Sequence, residues 1–173
     1  MSERPPQVAV IGGGSAREEL LGLAEEVGRR LAAAGAVLVC GGRGGVMEAA
    51  SRGAREAGGV VIGILPGLSP GAANEHVTHA IATGVGHARN LAVVASGDAV
   101  IAIGGEWGTL SEIALARRLG HPVAALRSWT LKNAAVDDLG ITESSDAADA
   151  VAFALEAARA APSGIADGRD PGD

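Results

Sequence analysis

The sequence predicts an α/β domain with a Rossmann-like, doubly wound and mainly parallel sheet that carries helices on both faces. The first observation is that apolar strand patterns and amphipathic helix patterns alternate along most of the 173 residues. The second is that the strand patterns are continuous apolar runs, which are typical of strands buried on both faces. The third is that glycine clusters end four of these strands, at residues 12–14, 41–45, 63–67 and 104–108.

Each element is predicted from its apolar periodicity and from the residues that end it. The predicted strands span residues 7–11, 37–40, 60–65, 76–81, 99–103 and 122–126. The predicted helices span residues 20–34, 46–57, 89–95, 109–119 and 146–160, and glycines end several of them. Residues 68–75, rich in Ser, Pro, Gly and Asn, are predicted to form a loop. Residues 1–161 are expected to form a single domain, and the polar residues 162–173 a disordered tail.

The composition excludes several classes of protein. Aromatic residues make up 2% of the chain and the net charge is −6, so neither base stacking nor a basic surface predicts a nucleic-acid partner. No run of about 18 apolar residues predicts a membrane span, and the polar N-terminus does not resemble a secretion signal. A cytoplasmic protein is therefore expected. The single cysteine, Cys40, excludes a disulfide framework within the chain.

The four glycine clusters predict a phosphate site. Because the carboxyl ends of parallel strands meet at one edge of a sheet, the clusters are expected to converge where open α/β sheets bind ligands. Glycine lets backbone N–H groups approach a ligand closely, and the N-terminus of the following helix favours an anion. The alternative is that the glycines only make tight turns between strands and helices. The residues expected to bind the phosphate are Gly13, Gly14, Ser15, Gly42, Gly44, Gly45, Gly104, Gly105, Gly108 and Thr109.

Other nucleotide-binding and catalytic motifs do not fit. Arg17 stands where a dinucleotide-binding fingerprint has its third glycine, and no acidic residue ends the second strand, which disfavours NAD. No glycine precedes a lysine, so the sequence contains no P-loop. Ser69 lies in a G-x-S-x-G match, but Pro70 has no N–H group to offer an oxyanion hole. His76 and His79 would point to opposite faces of a strand, and no metal site is predicted.

Four segments, in order along the chain, resemble the lonely guy (LOG) superfamily. They are residues 41–50 (GGRGGVMEAA), residues 58–66 (GGVVIGILP), Arg89, and residues 104–112 (GGEWGTLSE), and the resemblance covers residues 8–126. The signatures of the family are G-G-x-x-G-[LV]-M, M-x-x-R-K and P-G-G-x-G-T-x-E-E. Many relatives carried the label lysine decarboxylase, which does not fit here because Lys132, the only lysine, lies outside every motif and a pyridoxal enzyme needs a Schiff-base lysine.

The resemblance implies roles for two side chains. Characterised LOG enzymes release the base from cytokinin nucleoside 5′-monophosphates, and Glu112 matches their catalytic glutamate, which would stabilise positive charge on the ribose ring. Arg89 matches their arginine, whose fork suits a phosphate or the departing base. The alternative for Glu112 is a structural role in a T-x-x-E capping box with Thr109, a pattern that Ser15 and Glu18 repeat. The alternative for Arg89 is a solvated position on a helix.

The chain departs from the enzyme signatures at four positions. Ile103 stands for the proline, Ser111 for the first glutamate, Gly86 for the methionine and Asn90 for the lysine. These departures are similar to a sister branch of the superfamily that includes the molybdenum cofactor carrier proteins, and the same loops could hold the phosphate of that pterin. Trp107, at the variable position of the last motif, is expected either to stack on a flat ligand or to pack against a neighbouring side chain.

Two functions therefore stay open. The first is binding of a phosphorylated nucleotide-type ligand with hydrolysis of the N-glycosidic bond of nucleoside 5′-monophosphates. The second is non-catalytic carriage or sensing of a phosphorylated ligand such as molybdenum cofactor. Neither requires a resident cofactor. The resemblance also implies a homodimer or higher homo-oligomer, formed through the helix at residues 109–119 and its neighbours.

Overall fold

A computed structural model describes residues 4–135 and 137–160, so the predicted tail at residues 162–173 lies outside the described residues. The strands are β1 (Gln7–Gly12), β2 (Val37–Cys40), β3 (Val61–Leu65), β4 (His79–Ala82), β5 (Ala99–Ile103), β6 (Val123–Leu126) and β7 (Ile141–Ser144). The helices are α1 (Glu18–Ala33), α2 (Val46–Glu56), α3 (Arg89–Ala95), α4 (Trp107–Arg118) and α5 (Ala147–Ala160). Short 3-10 turns span Pro70–Ala72 and Gly86–Ala88.

The strands form one seven-stranded sheet in the order β4-β3-β2-β1-β5-β6-β7. All the pairings between these strands are parallel, which confirms the predicted α/β fold class. The chain winds outward from β1 to β4 and then returns to place β5 on the other side of β1. The order of the strands thus reverses at β1, and ligands of open α/β sheets bind in the crevice at such a point.

The two faces of the sheet carry separate apolar cores, because neighbouring residues of a strand point to opposite sides. On one face, Val8 and Val10 belong to a buried cluster with side chains from α1, α2 and α5. On the other face, Ala9 and Ile11 belong to a cluster with side chains from α3 and α4. All five residues of β5 are buried, which explains why its sequence is a continuous apolar run. No helix in the described ranges is long and apolar enough to cross a membrane.

The structure differs from the predicted elements at several places, and α1, predicted from residue 20, begins at Glu18. The strand predicted at residues 76–81 is His79–Ala82, and the helix predicted to begin at residue 109 begins at Trp107. Strand β7 was not predicted, because Ile141 is its single apolar residue. It lies at the edge of the sheet and pairs only with β6. An edge strand is less covered than a central strand, so it does not need an apolar residue at every position.

Helices α1 and α2 touch backbone to backbone through two glycines. A Cβ atom at Gly28 would overlap the carbonyl oxygen of Ala50, and one at Gly53 would overlap the carbonyl oxygen of Glu25. An ion pair of 2.6 Å between Arg52 and Glu25 also joins the helices at this contact. The contact fixes α2, and therefore the loop before it, against the loop and helix that follow β1.

Substitution of Gly28 by alanine is expected to destabilise the fold by roughly 3 kcal/mol, because the new methyl group meets backbone that cannot move aside. The matched control is Gly22→Ala on the same helix, where a Cβ meets nothing within 4 Å. This control is expected to gain roughly 0.5–1 kcal/mol from helix propensity. Urea denaturation of both variants measures the difference. Equal stabilities of the two variants would contradict the glycine contact.

Candidate functional site

A cleft of about 490 Å³ lies at the carboxyl edge of the sheet, where the loops after β1, β2 and β5 converge. The start of α3 and the first turns of α4 complete its walls. Both predicted catalytic side chains and part of the predicted phosphate loops are therefore brought together. The predicted site residues in this cleft are Gly13, Gly14, Arg89, Gly108, Thr109 and Glu112.

A second cavity of about 200 Å³ adjoins the cleft and shares Gly13 and Glu106 with it. Two more of the predicted phosphate ligands, Ser15 and Gly105, line this cavity. Across the described part of the chain, no three His, Cys, Asp or Glu side chains are grouped as a metal site would require.

The other four predicted phosphate ligands line neither cavity, and the structure gives three of them a packing role. A Cβ at Gly42 would lie 2.9 Å from Cδ2 of Leu65, and one at Gly104 would lie 2.7 Å from Cδ1 of Leu20. A Cβ at Gly45 would overlap the backbone of the loop after β1. Phosphate binding by these residues stays a prediction. The four residues are Gly42, Gly44, Gly45 and Gly104.

Helix α4 presents unpaired backbone donors to the cleft. The first amide with an acceptor inside the helix is that of Leu110, which donates to the carbonyl of Glu106 at 3.0 Å. The amides of Trp107, Gly108 and Thr109 precede it, and no side chain caps the helix. Since Gly108 and Thr109 line the cleft, this helix end is suited to an anionic group.

The N-terminus of α2 is used differently. The amide of Val46 donates to the carbonyl of Gly13 at 3.1 Å, so the loop after β1 satisfies the first donor of this helix. Gly45, at φ 66°, allows the two loops to touch. One N-terminal donor of α2 is therefore bound within the protein, and the next amide with an acceptor at this helix start is that of Ala49, which donates to the carbonyl of Gly45 at 3.0 Å.

Neither predicted capping box forms. Helix α4 begins at Trp107, so Thr109 lies inside the helix and Glu112 is too far along it to reach an N-cap residue. The N-cap residue of α1 is Arg17, and no side chain donates or accepts a capping hydrogen bond there. Ser15 and Glu18 are therefore not a capping pair either. Both helices begin at positions that the T-x-x-E and S-x-x-E patterns did not predict. The capping role of Glu112 is thereby removed.

Arg89 is half-buried, which corrects its alternative assignment as a solvated residue. Its guanidinium lies over Gly41, where a Cβ atom would overlap Nη1, and its Nε atom is buried without a hydrogen-bond partner in the described structure. Burial lowers the pKa of Arg89, the charge of Glu112 opposes this shift, and the nearby Arg43 adds to it. The cleft thus contains a partly desolvated cation without an ion-pair partner among the described residues.

Glu112 is 7% exposed and lies on the cleft side of α4. Burial raises the pKa of its carboxyl group to about 7, although the positive charge of Arg89 acts in the opposite direction. The two side chains interact electrostatically without forming an ion pair. Near neutral pH the carboxyl group is therefore divided between its neutral and charged forms.

Trp107 packs against a neighbouring side chain, as one of its two expectations stated. Its ring centroid lies 5.4 Å from that of Trp129, with an angle of 37° between the ring planes. Gly105 leaves room for this pair, since a Cβ there would lie 2.5 Å from Nε1 of Trp129. Trp107 itself is 78% exposed and lines neither cavity.

Sequence reasoning missed two charged residues that line the cleft, Arg43 and Glu106. Both lie inside glycine loops whose ends were assigned to phosphate binding. The signal that could have identified them is the charged residue between the glycines of each loop, because a loop that approaches a ligand also brings its side chains close to that ligand.

Comparison with known proteins identifies the family. The model of the SLOG cluster4 family matches residues 5–155. The chain belongs to the SLOG cluster4 family. The resemblance to the LOG superfamily, and to its sister branch, is thereby confirmed.

This SLOG cluster4 protein is similar to an uncharacterized relative and to the solved structures of two molybdenum cofactor proteins. An uncharacterized protein of Archaeoglobus fulgidus is 47% identical over 121 residues, which are 70% of this chain and 80% of that protein. The molybdenum cofactor binding protein of Rippkaea orientalis is 38% identical, with a TM-score of 0.83 over 90% of this chain and 98% of its own. The molybdenum cofactor carrier protein of Chlamydomonas reinhardtii is 34% identical, with a TM-score of 0.76 over 88% and 98%.

Replacement of Glu112 by glutamine is expected to stabilise the protein increasingly as the pH rises. The folded pKa is raised from 4.5, so the favourable contribution of the neutral carboxyl is complete below about pH 4.5 and is lost as the pH rises through about 7. The gain of Glu112→Gln over the wild type should therefore grow between these values, to roughly 3 kcal/mol at pH 8. Urea denaturation at pH 5 and pH 8 measures it.

The control for this measurement is Glu156→Gln, which removes an exposed glutamate of α5. It should show no comparable dependence on pH. A gain for Glu112→Gln that is equal at the two pH values would show that the carboxyl group is not held in its neutral form.

Proposed function

We propose that this protein binds molybdenum cofactor, or a closely similar phosphorylated pterin, and carries it without chemical change. The observation that carries the proposal is a cleft that presents free helix amides and a desolvated arginine, in a fold similar along almost its whole length to two proteins that bind this cofactor. A carrier needs such a receptor and needs no group that breaks a bond of the ligand.

The residues of the cleft fit a phosphorylated ring system. The amides of Gly108 and Thr109 would receive the phosphate at the start of α4, where the helix dipole favours negative charge. Arg89, which lines the same cleft, would donate a charge-assisted hydrogen bond to another polar group of the ligand. The volume of about 490 Å³ is within the range of pockets that bind ligands of this size.

Two side chains favour carriage over hydrolysis. Ser111 stands in place of the first glutamate of the enzyme signature, and its hydroxyl donates to the carbonyl of Gly108 at 2.7 Å within its own helix. Glu112 keeps a carboxyl group, but its raised pKa of about 7 reduces the negative charge that would stabilise an oxocarbenium-like transition state. The site therefore holds less negative charge than the two-glutamate signature would provide.

The binding test uses molybdenum cofactor released from a molybdoenzyme and mixed with the full-length protein under exclusion of oxygen. Molybdenum that coelutes with the protein in rapid gel filtration is then quantified by mass spectrometry. Arg89→Gln is expected to weaken binding about tenfold or more, because it removes a charge-assisted hydrogen bond. The control is Arg118→Gln, which removes an exposed arginine at the other end of α4 and should bind as the wild type does.

Failure of the wild-type protein to retain molybdenum above the level of an unrelated protein would refute carriage of this cofactor. Equal binding by Arg89→Gln and Arg118→Gln would instead show that the cleft is not the binding site.

Hydrolysis of nucleoside 5′-monophosphates is the second candidate, because Glu112 lies in the cleft one turn beyond the proposed phosphate amides. Under the carrier proposal, the wild-type protein should release no more ribose 5-phosphate from a panel of nucleoside 5′-monophosphates than Glu112→Gln does. The measurement is a coupled assay for ribose 5-phosphate. Release by the wild type that the variant lacks would establish the hydrolase and refute the carrier proposal.

The remaining expectations about the protein's environment stay predictions. They are association into homodimers or larger homo-oligomers through α4 and its neighbours, and a cytoplasmic location.

A further inference from the structure

We propose that Arg43 and Arg89 form a second anion site in the cleft, which receives an oxo-anionic group of the ligand other than the phosphate at α4. This inference deepens the proposed function, since it adds a second recognised group to the same ligand. It also gives a role to Arg43, which no motif assigns.

Both arginines line the cleft, and neither forms an ion pair with a carboxylate of the described residues. Their charges are close enough that Arg43 lowers the pKa of Arg89. Two like charges that share a partly desolvated cleft repel each other, and an anion between them converts this repulsion into attraction. The arrangement is therefore that of a receptor for a negatively charged group.

The other titratable groups of the cleft do not neutralise the two arginines. Glu106 and Glu112 line it, but neither lies within ion-pair distance of a guanidinium. Burial favours the neutral form of Glu112, as its raised pKa shows. His87 adds no negative charge in either of its protonation states.

The sheet order places the two anion sites at the ends of different strands. Arg43 follows β2, and the guanidinium of Arg89 lies over Gly41 at the end of the same strand. The free amides of α4 follow β5, and β1 lies between β2 and β5. The two anion sites therefore follow two strands that are not neighbours in the sheet. A nucleoside 5′-monophosphate has one anionic group, so this pair of sites favours a ligand with two.

The guanidinium of Arg89 is oriented for such a group. Gly41 provides the space beneath it, and the burial of Nε fixes the stem, so the Nη donors remain for the cleft. A planar guanidinium can donate two parallel hydrogen bonds to an oxyanion. Arg43, which is exposed and lies two residues after Gly41 in the same loop, would supply the second charge.

The test measures binding of molybdate to the full-length protein by isothermal titration calorimetry, and locates tungstate in soaked crystals by its anomalous scattering. The expected result is a tungstate position between Arg43 and Arg89, distinct from any position at the start of α4. Arg43→Gln should weaken molybdate binding at this site about tenfold or more. The control is Arg55→Gln, an exposed arginine in the last turn of α2, which should bind molybdate as the wild type does.

A second variant, Gly41→Ala, keeps both charges but places a methyl group where Nη1 of Arg89 lies. It should also weaken molybdate binding, and its thermal unfolding shows whether it is folded. Tungstate found only at α4, binding seen only at soaking concentration, or Arg43→Gln that binds molybdate as the wild type does would each overturn the inference.

The outcome is separable from that of the proposed function. Retention of molybdenum cofactor that is unchanged by Arg43→Gln would leave the carrier function standing and refute the second anion site. Molybdate binding that depends on Arg43, in a protein that does not retain the cofactor, would support the second anion site and refute the carrier function.

Discussion

The hydrogen bond from the amide of Val46 to the carbonyl of Gly13 organises the carboxyl edge of the sheet. It joins the loop after β1 to the N-terminus of α2, and Gly45 permits the contact because a side chain there would overlap the backbone of that loop. The first donor of α2 is thereby bound within the protein, while the first donors of α4 have no capping side chain and lie at the cleft. Glycine acts in this protein in two ways: it joins the loops, and it exposes backbone donors. The sequence pattern of the two kinds of loop is the same, and only the strand order and the helix starts distinguish them.

The electrostatics of the cleft follow from burial. Arg89 is held over Gly41 without an ion-pair partner in the described chain, and Glu112 is buried deeply enough that its pKa rises to about 7. Pairing the two side chains would satisfy both, but the structure keeps them apart. A ligand that brings its own negative charge therefore gains from an arginine that has already lost part of its hydration, which reduces the desolvation cost of binding. This arrangement suits retention of an anion better than the build-up of positive charge on a sugar ring.

The fold could be predicted from the sequence because fully buried parallel strands leave a strong signal. The run that forms β5 is apolar at every position, and the helices around it have one apolar face. Strand β7 gave no such signal, since it lies at the edge of the sheet with Ile141 as its only apolar residue.

The convergence of glycine loops predicted the cleft, and Arg89 and Glu112 were brought into it. The starts of α1 and α4 were not predictable from capping patterns, because their N-cap residues, Arg17 and Glu106, make no capping hydrogen bond through a side chain. Which glycines face a ligand and which pack against another loop depends on contacts between distant segments, and a pattern within one loop carries no information about those.

The loop before α4 is also one residue longer than the corresponding loop of the hydrolase signature. The signature places one residue between its second glycine and the glycine before threonine, whereas this chain has two, Glu106 and Trp107, between Gly105 and Gly108. Trp107 stacks outward on Trp129, and Glu106 faces inward and forms part of the wall between the cleft and the smaller cavity. A carboxylate beside free helix amides repels an anion that lies close to it. An anion can bind there only where its attraction to the amides and to the arginines of the cleft exceeds this repulsion. Under the carrier proposal, the loop restricts where a phosphate can lie and favours a ligand whose negative charge extends across the cleft to Arg43 and Arg89.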